Sequence, residues 1–235
     1  MRLLKAVILL FFLTPAYGYQ VQPMLQELDV AGRGSYGDYL VFNHNNNEVT
    51  LEISIFQISF NDEYEEVLIP ADDDFLILPP QTVIQPQASQ TFRLRYIPNE
   101  NLTTSTAYRV VFDQVPLDVD EDDQSLVQFM MRFSTIVIVN VPTTEPLPVV
   151  FNQIKQGRPE ITIKNTGNGV LDLTEWTFNF TINGENKVYR WLDMESTLNQ
   201  RYLMPGAALI VEQFAMEEIN NESIDKIYLN SLMTK

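Results

Sequence analysis

The sequence has no cysteine and a single histidine, His44. The first absence excludes disulfides, thiolate metal sites and thiol nucleophiles, so an exported chain of this size must hold together by packed cores alone. The second excludes a histidine-based zinc site. His44 falls in the Asn-rich turn at 44–47 and reads as a solvated loop residue. Basic residues are scarce, 15 against 31 acidic ones, for a formal charge of −16. A phosphate-binding surface needs clustered Lys and Arg, so nucleic acid is excluded as a partner. No G-x-S-x-G, P-loop or HExxH pattern occurs. The acidic run at 118–124 (DVDEDDQ) lacks the glycine and the distal glutamate of an EF-hand and reads as a solvated loop. No carboxylate pair stands out for glycoside hydrolysis. These absences argue against an enzyme, and neither a metal nor a cofactor is expected.

Long apolar runs are also missing, with one short exception. Residues 6–13 are unbroken apolar, follow Arg2 and Lys5, and precede the small residues Ala16 and Gly18. That is the pattern of a secretory signal peptide cut after Gly18. No later stretch reaches the roughly 18 apolar residues of a membrane helix, so the mature chain is expected to be soluble. Setting aside Arg2 and Lys5 leaves 13 basic against 31 acidic residues. Asn-x-Ser/Thr sites stand at Asn101, Asn179 and Asn221. They matter only in a pathway that glycosylates, and a bacterial periplasm is the expected compartment.

What remains is rich in short alternating runs. Residues 48–60 (EVTLEISIFQISF) set Val49, Leu51, Ile53 and Ile55 inward against Thr50, Glu52 and Ser54 outward. Residues 91–97 place Phe92, Leu94 and Tyr96 opposite Arg93 and Arg95. Further strands are predicted at 20–30, 38–43, 75–78 and 107–115. The stretch 142–148 (PTTEPLP) carries three prolines and reads as a semi-rigid linker. Beyond it, strands are predicted at 149–152, 160–165, 170–174, 176–182, 187–192, 208–214 and 224–229. An Asn183-Gly184 hairpin signal lies between two of them. The fold class is therefore all-β: a first sandwich over 19–142, a linker at 143–148 and a second sandwich over 149–235.

The longest run of strand formers is 126–141, LVQFMMRFSTIVIVNV, which would span roughly 50 Å if fully extended. Its second half is apolar on both faces, as in a strand covered on both sides. Its first half alternates, with Val127, Phe129, Met131 and Phe133 on one face. That row suits either an ordinary interior strand or a strand that offers large apolar side chains to a partner.

Taken in order, the stretches FLILPP (75–80), QPQASQTFR (85–93), YRVVFDQVP (108–116), the long strand ending at Pro142 and the late Pro205-Gly206 turn resemble the PapD-like periplasmic chaperones of chaperone–usher pilus assembly. The resemblance covers essentially the whole mature chain. It implies two immunoglobulin-like sandwiches in a boomerang arrangement and a long edge strand that completes the sandwich of a pilus subunit. It also implies delivery to an outer-membrane usher, and it leaves open a self-capping dimer when the chaperone is free. Donor-strand complementation is a known case of β-strand addition. The donated residues would be Val127, Phe129, Met131 and Phe133. The family also anchors the subunit's terminal carboxylate with an Arg and a Lys. Here those positions fall on Leu28 or Asp29 and on Val137, and an acidic domain-bridging residue falls on Gln114, so a divergent or archaic-type branch is implied. Arg33, Arg109 and Arg132 are the candidate substitutes for the anchor. The rival reading is a secreted adhesin or carbohydrate-binding protein using Trp176, Tyr189 or Trp191, and a weaker third is a glycosidase on a sandwich scaffold.

Overall fold

The computed structural model describes residues 18–98, 102–116, 130–155, 158–194, 200–211 and 224–232. Among the described residues ten strands precede residue 141: β1 Tyr19–Gln22, β2 Leu25–Asp29, β3 Tyr36–Asn43, β4 Val49–Phe60, β5 Glu66–Pro70, β6 Phe75–Leu78, β7 Gln81–Ile84, β8 Ser89–Tyr96, β9 Thr106–Val115 and β10 Arg132–Asn140. They form two facing sheets, β1-β3-β8-β6 and β2-β10-β9-β4-β5, with β7 also paired to β4. The alternation of β4 and β8 sets the core between them. Leu51, Ile55, Phe92, Leu94 and Tyr96 are all at most 1% exposed, while Arg93 and Arg95 point to solvent. Aromatic rings from both sheets meet edge-on, Tyr39 with Phe112 at 5.1 Å and Phe92 with Phe112 at 5.6 Å. Such packing adds to the burial term.

Two expectations are corrected here. The predicted first strand, 20–30, is two strands in different sheets. β1 pairs β3, and after Pro23 the chain crosses to pair β10 in parallel. Proline has no N–H to give a ladder, so the crossing falls there. Thr50, expected outward, is 8% exposed because β7 and β9 flank β4 at that point.

The second sandwich holds β11 Pro148–Lys155, β12 Arg158–Asn165, β13 Leu171–Asp172, β14 Trp176–Ile182, β15 Glu185–Arg190, β16 Tyr202–Leu203, β17 Ala208–Val211 and β18 Ile224–Ser231. Its sheets are β11-β12-β17 and β15-β14-β18, with a short β13-β16 ribbon. Asn183 and Gly184, at φ 50° and 80°, make the tight β14–β15 turn that their sequence signals. The strand predicted to run to Leu192 instead ends at Arg190, and Trp191–Met194 forms one helical turn that buries Trp191 and Met194. Asn179 is 9% exposed within β14, so that Asn-x-Thr site is not open to modification; Asn101 and Asn221 lie outside the described residues.

The linker is bound to the second sandwich along its backbone. Asn168 and Gly169 N–H donate to Glu145 O at 3.2 and 3.1 Å, and Thr166 N–H donates to Leu147 O at 2.9 Å. A Cβ on Gly167 would fall 2.3 Å from Glu145 O, so glycine is required by the close approach. Ser105 N–H reaches Asn168 O at 2.9 Å, Lys164 Nζ lies over the Tyr64 ring at 4.8 Å, and Ile58, Ala107 and Ile138 join the second core. The first sandwich is thus seated on the second through the ends of β4, β9 and β10.

Candidate functional site

β10 lies between β9 and β2 but is covered unequally. β9 pairs it antiparallel from Arg132 to Val139, whereas β2 pairs it only from Ile136 to Asn140. Ile136 N–H donates to Met24 O at 2.9 Å, and Val30 N–H donates to Asn140 O at 3.0 Å. Backbone groups alternate along a strand, so the even-numbered residues face the β2 side. The N–H and C=O of Arg132 and Ser134 therefore face an edge where no strand lies among the described residues.

The side chains alternate too. Thr135, Val137 and Val139 are each 0% exposed in the first core, and Phe133 is half-buried beside them. Tyr39 Oη and Thr135 Oγ1 share a hydrogen bond at 2.8 Å, and the threonine hydroxyl also reaches Val110 O at 3.1 Å. Burial pushes the Tyr39 phenol up to about 12, so it stays protonated. On the other face, Ile136 and Ile138 pack toward the second sandwich. The apolar second half of the long run is thereby explained, because each of its faces meets a different core.

Of the expected donor row, Val127 and Phe129 lie outside the described residues. Met131 and Phe133 are half-buried against the first core, with Phe133 edge-on to Tyr19 at 4.8 Å. The candidate anchors are spread apart. Arg132 is 71% exposed at the open end and paired with Asp113 across β9. Arg109, opposite Ile136, forms a two-armed pair with Glu66 at 2.8 Å for each arm. Arg33 sits exposed in the turn Gly32–Ser35, past the far end of β2. At the family's anchor positions, Leu28 and Val137 point into the core at 3% and 0% exposure, and Asp29, the alternative to Leu28, is exposed but acidic.

A feature the sequence did not signal lies between the sandwiches. A cavity of about 330 Å³ is lined by Glu27, Ile138, Asn140, Asp172, Glu175 and Tyr202, among others. Asn140 Nδ2 donates to Glu27 Oε2 at 2.9 Å, and Arg201 grips Asp172 with Nη2 at 2.6 Å. Burial, then the neighbouring Asp172, raise the Glu175 carboxyl. Burial also acts to raise Asp172, but hydrogen bonds from Arg201 and Thr174 outweigh it and hold that carboxyl low. The lining comes from strands and loops of both sandwiches far apart in the chain, so no local pattern announces it.

The opposite margin of the same sheet is β5. Asn61 N–H donates to Glu65 O and Ala71 N–H to Ile55 O, so the odd-numbered residues face β4. Glu66, Leu68 and Pro70 face outward, and proline offers no N–H. Val67, Leu68 and Ile69 are exposed there, but a charged residue and a proline make this margin a poor template for pairing. Of the aromatics named for the carbohydrate-binding reading, Trp191 is 8% exposed and Trp176 and Tyr189 are half-buried against the second core. Among the described residues no three His, Asp or Glu side chains converge as a metal site, and the 118–124 acidic run lies outside them. No described helix is long and apolar enough to cross a membrane.

No protein of curated function matches the sequence. Residues 36–144 match the family described as pili and flagellar-assembly chaperone, PapD N-terminal domain. The structure of the class 5 fimbriae chaperone CfaA is similar at TM-score 0.58 and 14% identity, over 93% of this chain and 100% of that one. A chain of the CsuC–CsuE chaperone–tip adhesion subunit pre-assembly complex, from archaic chaperone–usher Csu pili of Acinetobacter baumannii, gives 0.56 and 14% over 91% and 97%. A chain of the Salmonella enterica complex of SafA pilin with the SafB chaperone gives 0.52 and 13% over 93% and 98%. At these identities the likeness is one of fold, and it spans both sandwiches. The matched family comprises non-enzymatic chaperones. Residues 36–144 thus carry a PapD-like N-terminal domain of the pilus-assembly chaperones, and the fold over both sandwiches is similar to that of fimbrial chaperones of known structure.

Proposed function

We propose that this chain is a periplasmic chaperone that stabilises a pilus or surface-fibre subunit by adding its β10 edge to the subunit's incomplete sheet, then yields it to an outer-membrane usher. The observation that carries this reading is the edge at Arg132 and Ser134, open on the β2 side while the far margin at β5 is blunted. An incoming strand takes up the free N–H and C=O groups of those residues, as in other cases of strand addition. The alternating row Val127, Phe129, Met131 and Phe133 supplies apolar contact. Four such side chains at about 1.5–3 kcal/mol each amount to roughly 6–12 kcal/mol of gross burial, from which the costs of association are subtracted. The share of Met131 and Phe133 is smaller, since their own core already covers half of each. Of the three arginines, Arg132 stands beside the edge, and to meet a carboxylate of the guest it would have to share or leave Asp113. Without a guest, the same edge pairs with a second copy as a self-capped dimer. The related complexes join a chaperone to a pilin and to a tip subunit, which supports the same class of partner here.

Replacing Phe129 and Met131 by Asp, together and singly, tests the reading. The expected result is a folded protein by circular dichroism and loss of the pilus subunit recovered with it from the periplasm. Undiminished subunit recovery overturns it.

A further inference from the structure

Met131, the residue before β10, is held more heavily than the end of an edge strand requires. Its carbonyl accepts from Gln114 N–H at 3.3 Å and from the Tyr19 hydroxyl at 3.0 Å. Its own N–H donates to Gln114 Oε1 at 3.4 Å. The Tyr19 hydroxyl also lies 2.8 Å from Phe112 O, the carbonyl of the residue opposite Phe133. The tyrosine ring is 3% exposed and meets Phe133 edge-on. On the adjoining residue, a Cβ at Gly18 would come within 2.8 Å of Met131 Cε. Tyr19 belongs to β1 in the other sheet, so this contact crosses the sandwich. Burial pushes the phenol far above its ordinary range, so the group remains a donor.

A strand end with a neighbour on one side only is a place where structure opens first. We propose that Tyr19 is a positioning residue. With Gln114 it forms a clasp that keeps residues 131–134 laid against β9, so that the open edge meets an incoming strand already formed. A preformed template spares the guest the ordering of its partner, and affinity rises accordingly. The inference rests on the donor-edge reading above.

Hydrogen exchange on the full mature chain tests it, read at the inward-facing amides of Met131 and Phe133. Tyr19→Phe keeps the ring and removes the hydroxyl. Gln114→Leu removes the acceptor, whereas Gln114→Glu retains it. Tyr19→Phe and Gln114→Leu should speed exchange at those two amides by about three- to tenfold, the range of one lost hydrogen bond. Amides of β4 and of the second sandwich should keep their rates, and Gln114→Glu should resemble the parent. The pilus subunit recovered with the chaperone from its native periplasm, quantified by mass spectrometry, should fall in step. Unchanged exchange at Met131 and Phe133 overturns the clasp, as does faster exchange with full subunit recovery. A Phe129→Asp control separates the failures: if it abolishes recovery while Tyr19→Phe does not, only the clasp falls, and if it leaves recovery intact, the donor reading falls and the clasp's role with it.

Discussion

Replacing Ser134 by proline discriminates between an edge that is open and one that is not. In β10 the Ser134 N–H faces away from β9, and β2 begins only at the level of Ile136. Proline there deletes no bond within the protein and is of the kind tolerated on edge strands. Its cost should be about that of an average point substitution, ~1 kcal/mol. For a chain of this size that lowers Tm by about 2–4 °C. Thr135, one residue on, is 0% exposed, lies opposite Val110, and holds Val110 O and Tyr39 through its hydroxyl. Thr135→Pro removes a ladder N–H and these side-chain bonds and leaves buried acceptors unpaired, at roughly 3–5 kcal/mol in all. The corresponding fall in Tm is about 10 °C or more. A guest strand should respond in the opposite order. Ser134→Pro denies it one backbone hydrogen bond and puts a ring in its path, weakening binding by about tenfold or more. Scanning calorimetry of both variants, with subunit recovery from the periplasm for Ser134→Pro, reads both effects. Equal destabilisation by the two prolines would refute the open edge; a stable Ser134→Pro variant with full subunit recovery would refute its use.

Two further outcomes follow from the contact between the sandwiches. Gly167→Ala drives a methyl into the linker backbone at Glu145 and Leu147, since a Cβ would lie 2.3 Å from Glu145 O and 2.5 Å from Leu147 N. A loss of about 2–3 kcal/mol is expected, with a changed small-angle scattering profile; a silent substitution would mean the linker is not seated as described. Glu175 has its carboxyl raised by burial and by Asp172, so the folded state disfavours its charge. Its contribution is most favourable in acid and is lost as pH rises through the folded value. Glu175→Gln should therefore raise Tm at pH 7, and the gain should vanish below about pH 4, where the parent carboxyl is protonated in both states. A gain that persists in acid would exclude this cause.

Local pattern carried much of the fold. The two-residue period of 48–60 and 91–97 set which side chains enter the core, because each of those strands has one face in the sandwich and one outside. Where the covering comes from a distant element, the pattern misled or was silent. Thr50 is buried by β7 and β9, β5 is strand without an inward face, and Trp191 turns into a helical end where a strand was expected. Alternation at 126–134 suggested a strand with apolar residues to offer; of that stretch residues 130–134 are described, and nothing local tells that Tyr19 reaches across to Phe133 and Met131. Nor could it tell that Arg109 and Arg132 are engaged by Glu66 and Asp113, since ion pairs across strands depend on register.

The unequal margins of the larger sheet bear on stoichiometry. A template that lengthens in one direction only ends any run of strands it joins, because the guest finds Glu66 and Pro70 at the far side instead of a second landing place. On the proposed reading, such a sheet takes one guest per chain and offers no second landing place for a further strand.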